Sequence, residues 1–317
     1  MALGEFDLID RFFRRPSRRS DVLLGVGDDA ALLEPPAGRA LVAATDTLVE
    51  GRHFLHGAPG RSVGHQALAV NLSDLAAMGA DPAWALLSLS LPEVREDWLE
   101  DFALGFHVLA DTHGVELVGG DTVRGPLVVT VEVLGFVEPA LALRRSGAQP
   151  GDVLFVSGSP GEAAAGLEML RRGGSMDSDD PLVLRYLYAQ PRLELGRALR
   201  GRASAAMDVS DGLLGDLGKL CAASGVCARI DLAELPVSDR LLAAHGREAS
   251  ERLVLLGGDD YELLFTLSAA EADRGQAELR RDFPITRIGE IEAGRGVLCE
   301  RDGLVVQVAG GGYDHFA

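Results

Sequence analysis

The chain has 317 residues, 47% of them hydrophobic, and a formal net charge of −18. That length accommodates about two domains with a core each, and that apolar content excludes a disordered chain. The acidity excludes nucleic acid as a general partner, because a phosphate backbone demands cationic surface.

In chain order, strands are expected at DVLLGV (21–26), ALVAAT (40–45), AWALLSLSL (83–91), VELVG (115–119) and LVVTVEVLGFV (127–137). Helical patterns cover 62–78, closed by Gly79 and Asp81-Pro82, and 95–113, closed by Gly114. The turn-rich ALRRSGAQPG (142–151) reads as a junction between a domain over 1–140 and another over 141–317. The second half opens with a strand at 152–158, a helix from Glu162 to Arg171 and a loop over 171–181. Helical patterns at 182–200 and 212–224 flank the short strand SAAMDV (204–209). Strands follow at 228–232, 261–267 and 285–291, and 296–308 reads as a hairpin turned at Asp302-Gly303. The expected fold is two-domain α/β (α+β), with a mixed sheet in the first half.

No apolar run approaches the roughly 18 residues of a membrane span. The longest, WALLSLSL (84–91), is of strand length. Acids and arginines interrupt the N-terminal apolar residues, so no signal-peptide core is expected. The cysteines, Cys221, Cys227 and Cys299, show neither metal nor redox spacing. A sparse, odd set fits a reducing, cytoplasmic setting.

GVGDDA (25–30) matches a dinucleotide-binding fingerprint and follows a strand. The fingerprint requires a helix to start inside the glycine turn. Here Pro35-Pro36 would stop a helix after about one turn, and Asp28 and Asp29 would face the pyrophosphate. A nicotinamide cofactor is therefore not expected. GSPGEAAAG (158–166) lacks the G-K-[ST] ending of a phosphate loop and reads as a tight strand-to-helix turn. Lys219 is the only lysine, so phosphate chemistry here must draw its positive charge from elsewhere.

Several aspartates share one expected setting, the end of an apolar strand: Thr45 and Asp46, Asp121 after Gly119-Gly120, and Asp208 with Ser210 and Asp211 opening the next helix. Each alone could be a turn or N-cap residue. Asp74 is different. In the helix at 62–78 it shares a face with Ala67, Asn71 and Met78, so Asn71 and Asp74 are expected to point inward. A buried carboxylate needs a cation or several donors. The choices are a metal ion or a distant arginine such as Arg52, Arg124 or Arg145. Together Asp29, Asp46, Asp74, Asp121 and Asp208 suggest a hard-cation site of oxygen ligands, which selects Mg²⁺, Mn²⁺ or Ca²⁺ over zinc. The acidic turn need not meet phosphate directly, because it can hold the cations that phosphate binds.

These residues, in this order, resemble the thiamine-monophosphate kinase family. The markers are GEFDLI (4–9), GVGDDAALL (25–33), TDTLVEGRHF (45–54), ALAVNLSDLAAMGADP (67–82), GGDTVRGPL (119–127), RSGAQPGD (145–152), DVSDGL (208–213), GGDDYEL (257–263) and GYDHF (312–316). The resemblance implies ATP-dependent phosphorylation of thiamine phosphate to thiamine diphosphate. It implies an N-terminal domain that handles ATP and magnesium and pairs with its copy in a homodimer through a shared β-barrel. It also implies a C-terminal α/β domain that closes over the nucleotide. Carried over by position, Asp29, Thr45, Asp46, Asp74, Asp121, Asp208 and Asp211 would ligate magnesium. Gly120, Asp121, Arg145 and Ser210 would meet ATP, and His53, Glu262 and Tyr313 would contact thiamine phosphate. Asp74, Asp121, Arg145 and Asp208 would carry the chemistry. Three positions depart from the family pattern: Ala44 stands where serine often precedes Thr-Asp, Asp259 where glutamate is common, and Gly311 where some relatives have an aromatic.

Rival readings are a superfamily synthetase, a nucleotide or Mg²⁺ sensor, and a metal-dependent phosphohydrolase. Selenophosphate synthetase is disfavoured because no N-terminal cysteine is present, and a purine-precursor synthetase by GYDHF together with NLSDLAAMGADP.

Overall fold

The computed structural model describes residues 4–308. They form two compact units, one of residues up to 75 with 80–139 and one of 76–79 with the chain from 140 onward.

The first unit opens with a helix that the periodicity does not mark, α1 (Glu5–Phe12), which buries Leu8 and Phe12. The strands β1 (Val22–Leu24) and β2 (Leu32–Leu33) pair antiparallel in a small sheet of their own. A four-stranded sheet follows, built from β3 (Ala40–Val49), β4 (Asp81–Leu91), β5 (Glu116–Arg124) and β6 (Val128–Val137). Its order is β3-β6-β4-β5, with β4 and β5 parallel and the other pairs antiparallel, a mixed sheet.

The burial alternates as a half-covered sheet requires. Val129, Val131 and Val133 of β6 and Leu87, Leu89 and Leu91 of β4 point to one buried face. The helix α2 (Gly60–Ala77) lies on that face, since a Cβ at Gly135 of β6 would come within 3.1 Å of Leu75. Against α2 packs α3 (Glu96–His113), closed by Gly114 in a left-handed C-cap as the sequence indicates. The two helices approach at glycines: a Cβ at Gly64 would lie 2.0 Å from the Phe102 carbonyl. On the other face, Val22 and Leu33 of the small sheet cover Trp84 and Phe136, whose rings meet edge-on at 5.0 Å.

Two strands run further than expected. β3 continues to Val49, and β5 continues through Gly119-Gly120 to Arg124. Their backbone groups stay paired with β6 and β4 along the whole length, and this ladder carries the chain past the polar residues. Asp46 and Asp121 are therefore inside strands, not in loops beyond them.

The second unit has a seven-stranded sheet: β7 (Val153–Ser157), β8 (Ala203–Val209), β9 (Cys227–Asp231), β10 (Glu262–Leu267), β11 (Ile285–Glu292), β12 (Gly296–Arg301) and β13 (Leu304–Val306). The order is β13-β12-β9-β11-β7-β10-β8. Phe155 and Phe265 are cross-strand partners whose rings stack at 5.4 Å, while Val156 and Leu264 point to the opposite, aliphatic core. The β12–β13 turn falls at Asp302 (φ 53°) and Gly303 (φ 77°), a left-handed pair that suits a tight hairpin.

The helices of this unit are α4 (Glu162–Arg171), α5 (Pro181–Leu187), α6 (Leu193–Ala198), α7 (Leu213–Ser224), α8 (Asp239–Leu256) and α9 (Ala269–Asp282). α4 matches the expected bounds. The single helical pattern at 182–200 is two helices, because Pro191 removes an amide donor and disfavours helix at the residue before it. α8 and α9 are additional to the elements expected from the sequence. Each is capped by a serine, Ser238 and Ser268, whose hydroxyl accepts the amide three residues on. Among the described residues no helix is long and apolar enough to cross a membrane.

Candidate active site

The GVGDDA turn joins β1 to β2, with no helix after it, which removes the dinucleotide reading. Asp29 donates its amide to the Asp28 carboxylate at 2.8 Å, and both residues are exposed. Gly27 (φ 123°) lies under Arg14: a Cβ there would sit 1.8 Å from the guanidinium. The turn thus presents two carboxylates to solvent.

On the four-stranded sheet, Asp46 pairs with Val131, Val131 with Leu87, and Leu87 with Gly120. Asp46 accordingly shares the α2 side, the side of Asp74. Thr45 and Asp121 belong to the other face, aligned through Glu132 and Leu86 and through Ser88 respectively. The Thr45 hydroxyl donates to the Val131 carbonyl at 3.1 Å. Asp46 and Asp121 stand on the two edge strands, three strand spacings apart, about 14 Å. A magnesium ion sits about 2 Å from its ligand oxygens, so one ion does not bridge Asp46 and Asp121 within this sheet. Gly120 (φ 148°) tolerates no side chain, because a Cβ would lie 1.8 Å from the Leu87 carbonyl.

On α2, Asn71 is 0% exposed; its amide donates to the Ala67 carbonyl at 2.9 Å, and its Oδ1 has no hydrogen-bond partner. Asp74, one turn on, is half-buried. His53 lies in the loop after β3. Its Nδ1 accepts the Val49 amide at 2.9 Å, which makes Nε2 the protonated nitrogen of the neutral ring.

In the second unit, Asp208 is buried near the end of β8, and Ser210, Asp211 and Gly212 lead into α7. One buried carboxylate organises this turn. Asp216 Oδ2 accepts the amides of Ser210 and Asp211, both at 2.9 Å, and its Oδ1 accepts Lys219 at 2.8 Å. Lys219 also reaches Asp211 at 2.5 Å. Burial pushes the Asp216 carboxyl up, offset in part by Lys219. Partial burial pulls the Lys219 ammonium down, but its two carboxylate partners outweigh that and hold it up. The chain's one lysine thus serves the Asp211 turn. Arg145 is exposed on the segment entering this unit, and its carbonyl accepts the Ser224 hydroxyl at 3.0 Å.

The GGDDYEL stretch packs onto the same turn. Asp259 donates its amide to the Ser210 carbonyl and Tyr261 to the Val209 carbonyl, each at 2.9 Å. Asp259 (φ 66°) and Tyr261 (φ 52°) are both left-handed, unusual for residues with side chains. Burial pushes the Asp259 carboxyl up to about 6, against a hydrogen bond from Tyr261. Asp260 is fully buried and accepts the amides of Gly161 at 2.5 Å and Ala163 at 3.2 Å. Burial pushes its carboxyl up to about 8, although those amides and Arg185 pull the other way. The GSPGEAAAG turn is therefore a strand-to-helix turn whose helix N-terminus is taken by a carboxyl, leaving it closed to phosphate.

Glu262 is 0% exposed. It accepts from Ser157 and Arg185, each at 2.5 Å, and from Arg192 at 2.7 and 2.6 Å. Burial pushes its carboxyl up, but Arg192, Arg185 and Ser157 outweigh it and hold it below the usual range. Tyr313 lies outside the described residues. Asp260, Arg185 and Arg192 carry no signal in the sequence, because the partners that define them lie 70 to 99 positions away, whereas the partners of Asp216 lie within six residues and only its burial is hidden from the sequence. Among the described residues no three His, Cys, Asp or Glu side chains gather as a closed metal centre.

Both units match AIR synthase related proteins, residues 27–137 the N-terminal domain and 149–299 the C-terminal domain, which places the chain in that class. Within it the Escherichia coli K12 thiamine-monophosphate kinase is 48% identical, covering 100% of this chain and 99% of its own. The thiamine-monophosphate kinase structure from Stenotrophomonas maltophilia is also 48% identical, with a TM-score of 0.88 over 96% of this chain and 99% of its own. AaThiL, whose structure holds AMPPCP and TMP, is 34% identical, with a TM-score of 0.79 over 99% of this chain and 97% of its own. The chain belongs to the thiamine-monophosphate kinase family.

Proposed function

We propose that the chain transfers the γ-phosphoryl group of ATP to thiamine phosphate, giving thiamine diphosphate and ADP, by direct in-line displacement. The carrying observation is end-to-end similarity to thiamine-monophosphate kinases and to AaThiL, whose structure holds AMPPCP and TMP. The acceptor is a phosphate oxygen already ionised at neutral pH, so no strong general base is required. What the protein must supply is alignment and relief of anion–anion repulsion. Arg145, with an exposed guanidinium, serves the nucleotide phosphates. Gly120 admits close backbone approach where no side chain fits. Ser210 lies at the turn fixed by Asp216. His53, with Nε2 as a donor, and Tyr313 are assigned to thiamine phosphate.

The donor set fits magnesium. It is all oxygen, which suits a hard ion that keeps waters and takes substrate phosphates as ligands. Asp29, Thr45, Asp46, Asp74 and Asp121 of the first unit, and Asp208 and Asp211 of the second, would hold such ions. When bound, they would neutralise charge on the phosphates.

The homodimer belongs to the same reading. The sheet face opposite α2 leaves Leu41 52% and Val123 48% exposed, on the edge strands β3 and β5. Two copies joined edge to edge would bury these residues, close the sheet and set β3 of one copy beside β5 of the other.

Incubation with ATP, Mg²⁺ and thiamine phosphate, with products separated, tests the proposal. Thiamine diphosphate and ADP in equal amounts are expected. Inorganic phosphate released without an acceptor would indicate a phosphohydrolase, and unchanged ATP a sensor. A stable phosphorylated side chain in single turnover would refute direct transfer.

A further inference from the structure

The carboxylate of Glu262 has no capacity left for a ligand. A carboxylate offers about four acceptor positions, and Ser157, Arg185 and the two Arg192 nitrogens occupy them in a site with no solvent access. A Cβ at Gly158 would lie 2.0 Å from the same carboxylate, so even the neighbouring backbone closes on it. Three elements meet there: β7 through Ser157, α5 through Arg185, and Arg192 at the start of α6.

The stretch next to it is strained. Asp259 and Tyr261 both hold left-handed backbone, a conformation that persists only where surrounding contacts over-determine it. Those contacts are Asp260, capping α4 through Gly161 and Ala163, and Glu262, locked to the two arginines. Arg185 joins both, since it also donates to the Asp260 carbonyl at 2.8 Å. Held this way, the strained stretch presents the Asp259 and Tyr261 amides to the carbonyls of Ser210 and Val209. Gly258 fits against the same turn: a Cβ there would lie 2.6 Å from the Ser210 carbonyl.

We propose that Glu262, with Arg185 and Arg192, is a positioning element that fixes the Val209–Asp211 turn and so sets affinity for the nucleotide, and that it makes no contact with thiamine phosphate. This rests on the kinase reading above, in which Ser210 and Asp211 serve ATP and its metal. The two assignments of Glu262 differ in the substrate they affect. A direct contact governs the acceptor, whereas a positioning element governs ATP.

The test is Glu262→Gln, with Arg192→Lys and Ser157→Ala as milder variants in case the first does not fold. Lysine keeps the charge of Arg192 but not its two-pronged geometry, and alanine removes one bond of four. Steady-state kinetics are run with each substrate varied, and amide hydrogen exchange of the full chain is followed at 209–211 and 257–261. The expected result for Glu262→Gln is a KM for ATP raised about tenfold, a KM for thiamine phosphate within about twofold, and faster exchange in both segments. The milder variants should shift the same quantities by less. A KM for thiamine phosphate raised alone, with exchange unchanged, would overturn the proposal. If the wild type makes no thiamine diphosphate, the kinase reading fails. The exchange comparison then still decides the anchor, since unchanged exchange in every folded variant refutes it.

Discussion

Asp216→Ala should destabilise the second unit and loosen the turn that carries Ser210 and Asp211. The wild-type carboxylate is fully buried and serves three donors: the Ser210 and Asp211 amides, each at 2.9 Å, and Lys219 at 2.8 Å. An orphaned buried donor costs about 1–3 kcal/mol. Two such amides, with some water entering the space left by the side chain, give an expected loss of about 3 kcal/mol. The Lys219 contact adds little, because the lysine is half exposed and retains Asp211. Asp216→Asn separates these contributions. Its oxygen can still accept both amides; only the Lys219 bond is lost, and Lys219 can turn to Asp211, so the expected loss is only about 1 kcal/mol. Urea denaturation followed by circular dichroism measures both, and the alanine variant should also show a raised KM for ATP. Two results would refute the reasoning: an alanine variant within about 0.5 kcal/mol of wild type, or an asparagine variant as unstable as the alanine one.

Further expectations concern the other groups. Asp74→Asn should cut turnover by about two orders of magnitude or more while leaving the unfolding midpoint nearly unchanged; comparable activity would remove Asp74 from the metal site. Asp260 has a folded pKa of about 8, above its unfolded value of 3.8. The fold therefore binds more protons than the unfolded chain, and stability should fall as pH rises through that window. Asp260→Asn should flatten the profile measured by denaturant titration between about pH 5 and 8, and an unchanged slope would count against the assignment. Gly120→Ala should cost about 2 kcal/mol or more by thermal unfolding, since it strains a backbone at φ 148° and drives a methyl into the Leu87 carbonyl. A normal midpoint would show that β5 can yield there.

The sequence by itself determined what is local. Apolar runs of strand length marked β4, β6 and β7, the glycines that stop helices marked the ends of α2 and α3, and Pro35-Pro36 with Asp28 and Asp29 argued against a dinucleotide turn. The ordered motifs also named the family, because they sample the whole chain. The tertiary structure decided everything that depends on a partner far along the chain. Strand pairing carried β3 and β5 past Asp46 and Asp121, and register then assigned those two aspartates to opposite faces and opposite edges. It also showed that GGDDYEL is held together from within: Asp260 closes a helix 99 positions earlier, and Glu262 is saturated by arginines 70 and 77 positions away. Periodicity reports the faces of a single element. A carboxylate's role depends on which donors folding brings to it, and that is set by packing between elements.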